Sequence, residues 1–351
     1  MLKLQVERRV APLWFRPLIP LVAIVVTFVL TSVLILAAKA NPLEAFYYFL
    51  IYPLSSQFSA VEVLVKATPI LLTGAAVTFA FAAGYWNIGA EGQLLAGAIA
   101  AAWIGTLVEG VPPVFAILLM IVAGFIAGML WALIPALLKT KLAVDEIVTT
   151  LLMNTVITFP ISFLLNGVWR SPLTGEPQSP EILANSYFPH LIPRSRLHLG
   201  FLLAWAIIAI IWVILTRTPL GLHMRSVGLG QQAARFAGVK VERTMLIAAL
   251  VSGGIAGLAG VGEVAGIHFH LISGISGGFG YTGIIVAMLG GLNPLGISLA
   301  GLFIGLIETG AQSVSQALGV PIYLGNVVEA ALLLVTLSML ILQHYRIRRA
   351  A

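Results

Sequence analysis

The sequence predicts an all-α integral membrane protein of about ten spans, with broken helices and an inverted repeat. Three observations predict it. Hydrophobic residues make up 60% of the 351 and charged residues 9%, a balance that a soluble domain of this length does not carry without aggregating. The apolar residues come in runs long enough to cross a hydrocarbon core of about 30 Å. Two glycine-rich, partly polar stretches interrupt those runs where a plain membrane helix would place leucines. The formal charge of +6 is spread between the runs rather than gathered on one face, so it reads as a topology signal and not as a nucleic-acid surface. Cysteine is absent, which excludes disulfides, thiolate chemistry and cysteine-ligated metals.

In chain order, Lys3, Arg8, Arg9 and Arg16 precede an uncharged run over 18–38, longer than the apolar core of a cleavable signal and therefore expected to stay as an anchor. Residues 41–59, rich in Tyr and Phe, read as an external loop at headgroup level. Runs follow at 61–82, 94–108, 114–138 and 147–165, the last opened by Asp145 and Glu146, whose charges suit a helix N-terminus. The polar insert 169–198 holds five prolines and no apolar period, so it is expected outside as a loop with at most a short surface helix. A run at 199–215 leads into the basic segment 217–243, and runs at 245–266, 281–292, 295–310 and 322–342 complete ten crossings. With the N-terminus inside, fourteen of the nineteen Lys and Arg are cytoplasmic, so charge bias and helix parity agree in placing both termini there.

The stretch from Phe81 to Gly97 contains Gly84, Tyr85, Trp86, Asn87, Gly89, Glu91 and Gln93. It is either part of a transport path, which tolerates non-helical backbone at membrane depth, or an ordinary turn with a solvated Glu91. A second interruption, Ser273 to Gly280, precedes a run too short to span alone. At constant offset Gly84, Tyr85, Gly89, Leu94, Leu95 and Gly97 fall on Gly278, Phe279, Gly283, Met288, Leu289 and Gly291, the pattern of an inverted repeat with paired interruptions. Tyr85, Trp86 and Phe279 are candidates for transient stacking against a substrate, and Asn87, Glu91 and Gln93 for its polar edges; helix packing accounts for the aromatics equally well.

Glu62 and Lys66, four apart, are expected to form a helical ion pair. Glu263, Glu308 and Glu329 lie in or beside apolar runs with no clustered His or Asp in the sequence, which favours packing or interfacial roles and gives no paired membrane carboxylates. His268 and His270 lack a third ligand at metal spacing, so no metal site is expected. In the basic segment, Gln231, Ala233, Ala234, Arg235 and Phe236, closed by Gly238, suit a stubby helix with small residues for docking in a partner's groove; a loop held on anionic lipid headgroups is the alternative.

That segment resembles the coupling loop of ABC importer permeases. Asn87-Ile88-Gly89-Ala90-Glu91-Gly92-Gln93 is similar to the signature of their simple-sugar and nucleoside branch, and Val144-Asp145-Glu146-Ile147-Val148-Thr149-Thr150-Leu151-Leu152-Met153-Asn154 resembles the same branch, with Asp145 where asparagine is more familiar. The resemblance covers essentially the whole chain, and its length and long insert are like the larger subunit of a nucleoside permease pair. It implies one permease domain over 1–351 with the fold of ribose, branched-chain amino acid and vitamin B12 permeases, in a bacterial or archaeal plasma membrane. It further implies a passive pathway without catalytic residues or cofactors, a second permease that is a different chain, ATPase subunits on the coupling loop and an external substrate-binding protein. No phosphate-cradling glycine loop with its lysine and hydroxyl is present, so another chain would hydrolyse ATP. The substrate implied is a nucleoside, a purine first, with ribose as the alternative; an ion-coupled secondary transporter is the rival class.

Overall fold

A computed structural model of the chain describes residues 4–8, 18–170 and 175–349, with side chains for 21–170 and 175–339. Lys3, Arg9 and Arg16 of the basic N-terminal segment and residues 171–174 of the insert lie outside the described residues. The helices are α1 (Leu18–Ala37), α2 (Pro42–Leu50), α3 (Gln57–Ala82), α4 (Ala90–Leu107), α5 (Pro113–Leu142), α6 (Glu146–Val156) and α7 (Thr158–Asn166). They continue with α8 (Leu199–Arg217), α9 (Pro219–Leu229), α10 (Gln231–Phe236), α11 (Val241–Glu263), α12 (Phe279–Leu289), α13 (Pro294–Leu318) and α14 (Leu324–His344). Near the ends, β1 (Leu4–Arg8) pairs antiparallel with β2 (Tyr345–Arg349), bringing the two termini together.

Among the described residues, six helical segments are long and apolar enough to cross a membrane: Gln57–Ala82, Pro113–Leu142, Glu146–Asn166, Leu199–Arg217, Val241–His268 and Pro294–Leu318. Each of the ten apolar runs in the sequence contains helix. The 147–165 run is two helices meeting at Ile157, where Pro160 lacks the N–H that would continue the ladder. Residues 41–59 are not simply loop, because Asn41 caps α2 and Pro42 starts it, and Phe49 then buries against Gly310 of α13.

The bundle is laced across its two halves. α3 packs on α12 and α13, while α11 packs on α4 and α5. Both seams are made by small residues four apart, which let backbones approach closely enough for dispersion to hold helices together in lipid. On α11, Gly253 and Gly257 meet Gly124 and Gly128 of α5, and a Cβ on Gly97 of α4 would lie 2.1 Å from the Gly257 carbonyl oxygen. On α13, Gly301 and Gly305 seat Leu71 and Ala67 of α3.

The insert is not a free loop. Ile182 and Phe188 are buried, Phe188 N–H donates to Ala265 O at 2.9 Å, and His198 closes the segment as the N-cap of α8. The His198 ring occupies the notch over Gly266, inside a one-turn π segment, Val264–His268, at the end of α11.

The expected Glu62–Lys66 pair is replaced by another. Glu62 pairs with Arg196 of the insert, Nε to Oε1 at 3.2 Å, and Lys66 sits 5.9 Å from the centre of the Phe279 ring. Helical spacing allows the local pair, but an arginine brought in from the insert offers two donors in a planar fork.

Candidate substrate pathway and coupling segment

α3 ends in a left-handed turn. Gly84 has φ +67°, Gly84 N–H donates to Phe81 O at 2.9 Å, and Tyr85 N–H reaches back to Ala80 O at 3.2 Å. The break this creates is filled by a closed polar knot. Asn87 Nδ2 donates to Gln93 Oε1 and to Ser252 Oγ, both at 2.8 Å, while Asn87 Oδ1 accepts Gly89 N–H and Gln93 Nε2, both at 3.0 Å. The Ser252 hydroxyl in turn donates to Ala76 O at 2.7 Å, and every amide group of Asn87 is satisfied within the protein.

α6 pins the same break from the other side. Thr150 Oγ1 accepts Ile88 N–H at 3.2 Å, Asn154 Nδ2 donates to Ile88 O at 2.9 Å, and Asn154 Oδ1 accepts Gly92 N–H at 2.9 Å. The Asp145 side chain caps α6 by accepting Ile147 N–H at 2.8 Å, and Lys139 anchors Glu146 at 2.6 Å. Two stretches separated by some sixty residues thus form one unit, because the α4 N-terminus leaves backbone groups that α6 side chains complete.

The second break meets the first at Glu91. The glycines of 274–278 adopt positive φ at Gly274, Gly277 and Gly278, and the chain enters α12 directly against α4: a Cβ on Gly280 would lie 2.2 Å from Glu91 N. Glu91 Oε2 accepts Gly280 N–H at 2.8 Å, and Oε1 accepts the Ser276 hydroxyl. The carboxylate therefore sits at the N-terminal ends of two helices, where dipoles and free N–H groups both favour a negative charge. Thr73 ties α3 to the break by donating to Phe279 O at 2.8 Å.

Two cavities flank this junction. The larger, about 790 Å³, is lined by Glu91, Asn154, Tyr281, Ser276, Phe159 and Ser162 among others. The smaller, about 240 Å³, is lined by Lys66, Arg196, Glu263, His268 and Phe279, with His268 Nε2 3.7 Å from Glu263 Oε2. Of the residues proposed for a pathway from sequence, Glu91 faces the larger cavity and Phe279 the smaller. Tyr85, Asn87 and Gln93 lie inside the protein, and Trp86 is 43% exposed with its ring 4.5 Å from that of Phe81. Sequence reasoning passed over Asn154 and Tyr281, whose side chains touch at 3.3 Å on the wall of the larger cavity. Asn154 closes the α6 motif quoted above, which was the available signal; Tyr281 carried none beyond its place just after the glycine run.

The basic segment forms α9 and α10, turned through Gly230 and closed by Gly238 at φ +83°. Ala233 and Ala234 part company: Ala233 is exposed and Ala234 is buried in its own loop, whereas Gln231, Arg235 and Phe236 face outward. Arg235 is held by Glu242 of α11. The end of α9 rests on the first break, where a Cβ on Gly228 would lie 2.6 Å from Ala82 O and one on Gly84 3.2 Å from the Gly228 Cα.

The model for the permease component of branched-chain amino acid transport systems matches residues 59–337, which include both breaks, the α6 unit and α9–α10. The chain belongs to that family of ABC transporter permeases. It is similar to the glucose ABC transporter permease protein TsgB13 of Haloferax volcanii, 34% identical over 97% of this chain and 92% of the relative. The guanosine ABC transporter permease protein NupP of Bacillus subtilis is 35% identical over 79% of this chain and 80% of its own. The nucleoside ABC transporter permease protein NupB of Lactococcus lactis is 32% identical over 90% and 89%. Each bacterial relative has a second, less similar counterpart in the same organism that also matches. The permease is thus a multi-pass plasma-membrane protein and a channel-forming component, not an enzyme.

Proposed function

We propose that this permease forms half of the translocation pathway of an ATP-driven importer for a nucleoside, a purine nucleoside first. The observation that carries the proposal is the 790 Å³ cavity beside the Glu91 junction, which is lined by Phe159, by Tyr281 and by Asn154, whose amide donates to the Tyr281 hydroxyl at 3.3 Å. Flat apolar faces beside an amide suit a nucleobase, whose edge offers donors and acceptors, and the volume lies within the ~300–1,000 Å³ usual for small-molecule sites. The names of the bacillar and lactococcal relatives point the same way. The glucose permease relative, matched over more of the chain, favours a second reading, a monosaccharide in place of ribose as first alternative.

In this reading the second permease is a different chain, ATPase subunits dock on α9–α10 and supply the hydrolysis, and an external binding protein delivers substrate. The chain itself needs no cofactor. Ten crossings with both termini and 217–243 inside and 169–198 outside follow from the charge bias, and the pairing of β1 with β2 supports an even number of crossings. The reciprocal packing of α3 on α12–α13 and of α11 on α4–α5, with positive φ at both Gly84 and Gly278, supports an inverted repeat.

The test is ATP-driven uptake in vesicles holding the permease pair, the ATPase and the binding protein. Labelled guanosine or adenosine is expected to accumulate and glucose or ribose is not. Accumulation of a sugar with no nucleoside would replace the first reading by the second.

A further inference from the structure

The smaller cavity, about 240 Å³, gathers charged side chains and an aromatic ring from four parts of the chain: Lys66 of α3, Arg196 of the insert, Glu263 and His268 at the end of α11, and Phe279 at the start of α12. Arg196 is engaged by Glu62. Lys66 and Glu263 are not held in this way. Among the described residues neither makes a hydrogen bond: the nearest group to Lys66 Nζ is the Phe279 ring, its centre 5.9 Å away, and Glu263, 6% exposed, has His268 Nε2 at 3.7 Å, beyond hydrogen-bond reach.

An ammonium with three donors and a carboxyl with two oxygens thus face one small space. The charges around it balance, since Lys66 and Arg196 are matched by Glu263 and by the Glu62 that holds Arg196, so neither an anion nor a cation gains net attraction there. A neutral ligand that accepts from Lys66 and donates to Glu263 does gain. Adjacent hydroxyls on one ring do both, because each is a donor and an acceptor. Ile275 and the Phe279 ring give the cavity an apolar side, which suits the C–H face of such a ring. The volume is below the ~300–1,000 Å³ of sites for drug-sized ligands, so it fits one ring rather than a fused pair with its substituents.

We propose that the smaller cavity is a sugar subsite, in which Lys66 donates to, and Glu263 accepts from, the vicinal hydroxyls of a single sugar ring lying against Phe279. The proposal rests on the importer reading given above and adds to it the group that recognises the sugar. The ribose of a nucleoside and a free monosaccharide both carry the hydroxyl pair, so the subsite serves either substrate. Gly274 lines both cavities, so a ring held in the smaller is separated from the larger by the backbone of the second break. Lys66 and Glu263 are then specificity-determining residues, separate from the Asn154 and Tyr281 of the larger cavity.

The test is saturation-transfer difference NMR of the assembled permease pair and ATPase in lipid nanodiscs, without the binding protein. The probes are methyl β-ribofuranoside and its 2-deoxy counterpart. Saturation is expected to reach the ring protons of the ribofuranoside and to fall about ten-fold for the deoxy probe, which lacks the hydroxyl pair. The same fall is expected for the ribofuranoside in Lys66→Met and in Glu263→Gln. Equal transfer to the two probes in the wild type would overturn the subsite, and this comparison needs no variant to fold. Undiminished transfer in either variant would overturn it as well. Displacement of the ribofuranoside by adenosine would assign the subsite to the ribose of a nucleoside, displacement by free ribose alone would assign it to a monosaccharide, and displacement by neither would overturn it. ATP-driven adenosine uptake by the complete importer separates this proposal from the reading it rests on. Uptake without any transfer to the ribofuranoside would keep the nucleoside reading and overturn the subsite, whereas transfer without adenosine uptake would keep the subsite and replace the nucleoside by a monosaccharide.

Discussion

Glu91 Oε2 accepts the Gly280 N–H at 2.8 Å, joining the starts of α4 and α12 through one carboxylate. The backbones approach so closely here that a Cβ at position 280 would lie 2.2 Å from Glu91 N, and the Ser276 hydroxyl donates to the other oxygen of the same carboxylate. Glu91→Ala leaves a buried N–H and a buried hydroxyl without acceptors and is expected to lower stability by about 2–4 kcal/mol. Glu91→Gln keeps one acceptor oxygen and is expected to lose about half of that. Thermal unfolding in detergent, followed by size-exclusion recovery, measures both, and equal melting of the alanine variant and the wild type would reject the junction.

The glycine seam predicts a sharp contrast between two positions on α11. A methyl group on Gly257 would lie 2.3 Å from Gly124 O, whereas one on Gly262 would meet nothing closer than His198 Cε1 at 3.7 Å. Backbone cannot yield as a flexible side chain can, so Gly257→Ala is expected to cost about 3 kcal/mol or more by overpacking. Gly262→Ala is expected to be neutral or to stabilise by up to about 1 kcal/mol through lower chain entropy. Melting temperatures of the two variants in the same lipid decide it; the same shift in both would contradict the seam.

His198 gives a pH dependence with a definite sign. Burial, with His190 beside it, pushes its imidazole down to about 4 from the ordinary 6.5, and the neutral ring caps α8 by accepting Gly200 N–H on Nδ1 at 3.1 Å. Between those values the unfolded chain binds a proton that the folded one refuses, so stability is full above 6.5 and falls as the pH drops towards 4. The upper bound on the loss is about 3 kcal/mol at 1.36 kcal/mol per unit. His198→Asn keeps a cap acceptor and is expected to flatten the slope between pH 6.5 and 5. An unchanged slope in that variant would remove His198 as its source.

On the coupling segment, Phe236 is 95% exposed and Ala234 3%. Phe236→Asp is expected to abolish ATP-driven uptake while leaving the melting temperature within a degree or two, as surface changes do. Ala234→Asp buries a carboxylate and is expected to lose uptake together with stability. Normal uptake by the Phe236 variant at normal expression would place the ATPase contact elsewhere.

Much of this architecture was legible because membrane burial writes long signals. The apolar runs, both breaks and the stub at Gln231–Phe236 all stand in the sequence as period, glycine and charge. What was not legible is pairing at a distance. The local Glu62–Lys66 spacing suggested an ion pair, yet Arg196 arrives from 134 residues away and takes the glutamate. Asn87 and Gln93 looked like pathway residues because amides in an apolar stretch suggest a polar ligand; their ligand is each other, with Ser252 as the third member. Nor does composition distinguish Ala233 from Ala234, since only the turn at Gly230 decides which of them faces inward.

The lacing of α3 into α12 and α13 also sets a timetable for biogenesis. α3 is 89% buried across its most apolar window, and much of what covers it, from Phe279 of α12 to Gly305 of α13, is synthesised some two hundred residues later. At about 5–20 residues per second, α3 waits on the order of 10–40 s in the membrane with its small-residue face unpartnered. During that interval it is the natural target for an insertase or for illegitimate pairing with a neighbouring chain, and a ribosome stalled before α12 leaves a product that cannot mature. The two halves are consequently one unit of quality control. A membrane protease that surveys nascent permeases should recognise an exposed α3 as the mark of a chain not yet finished.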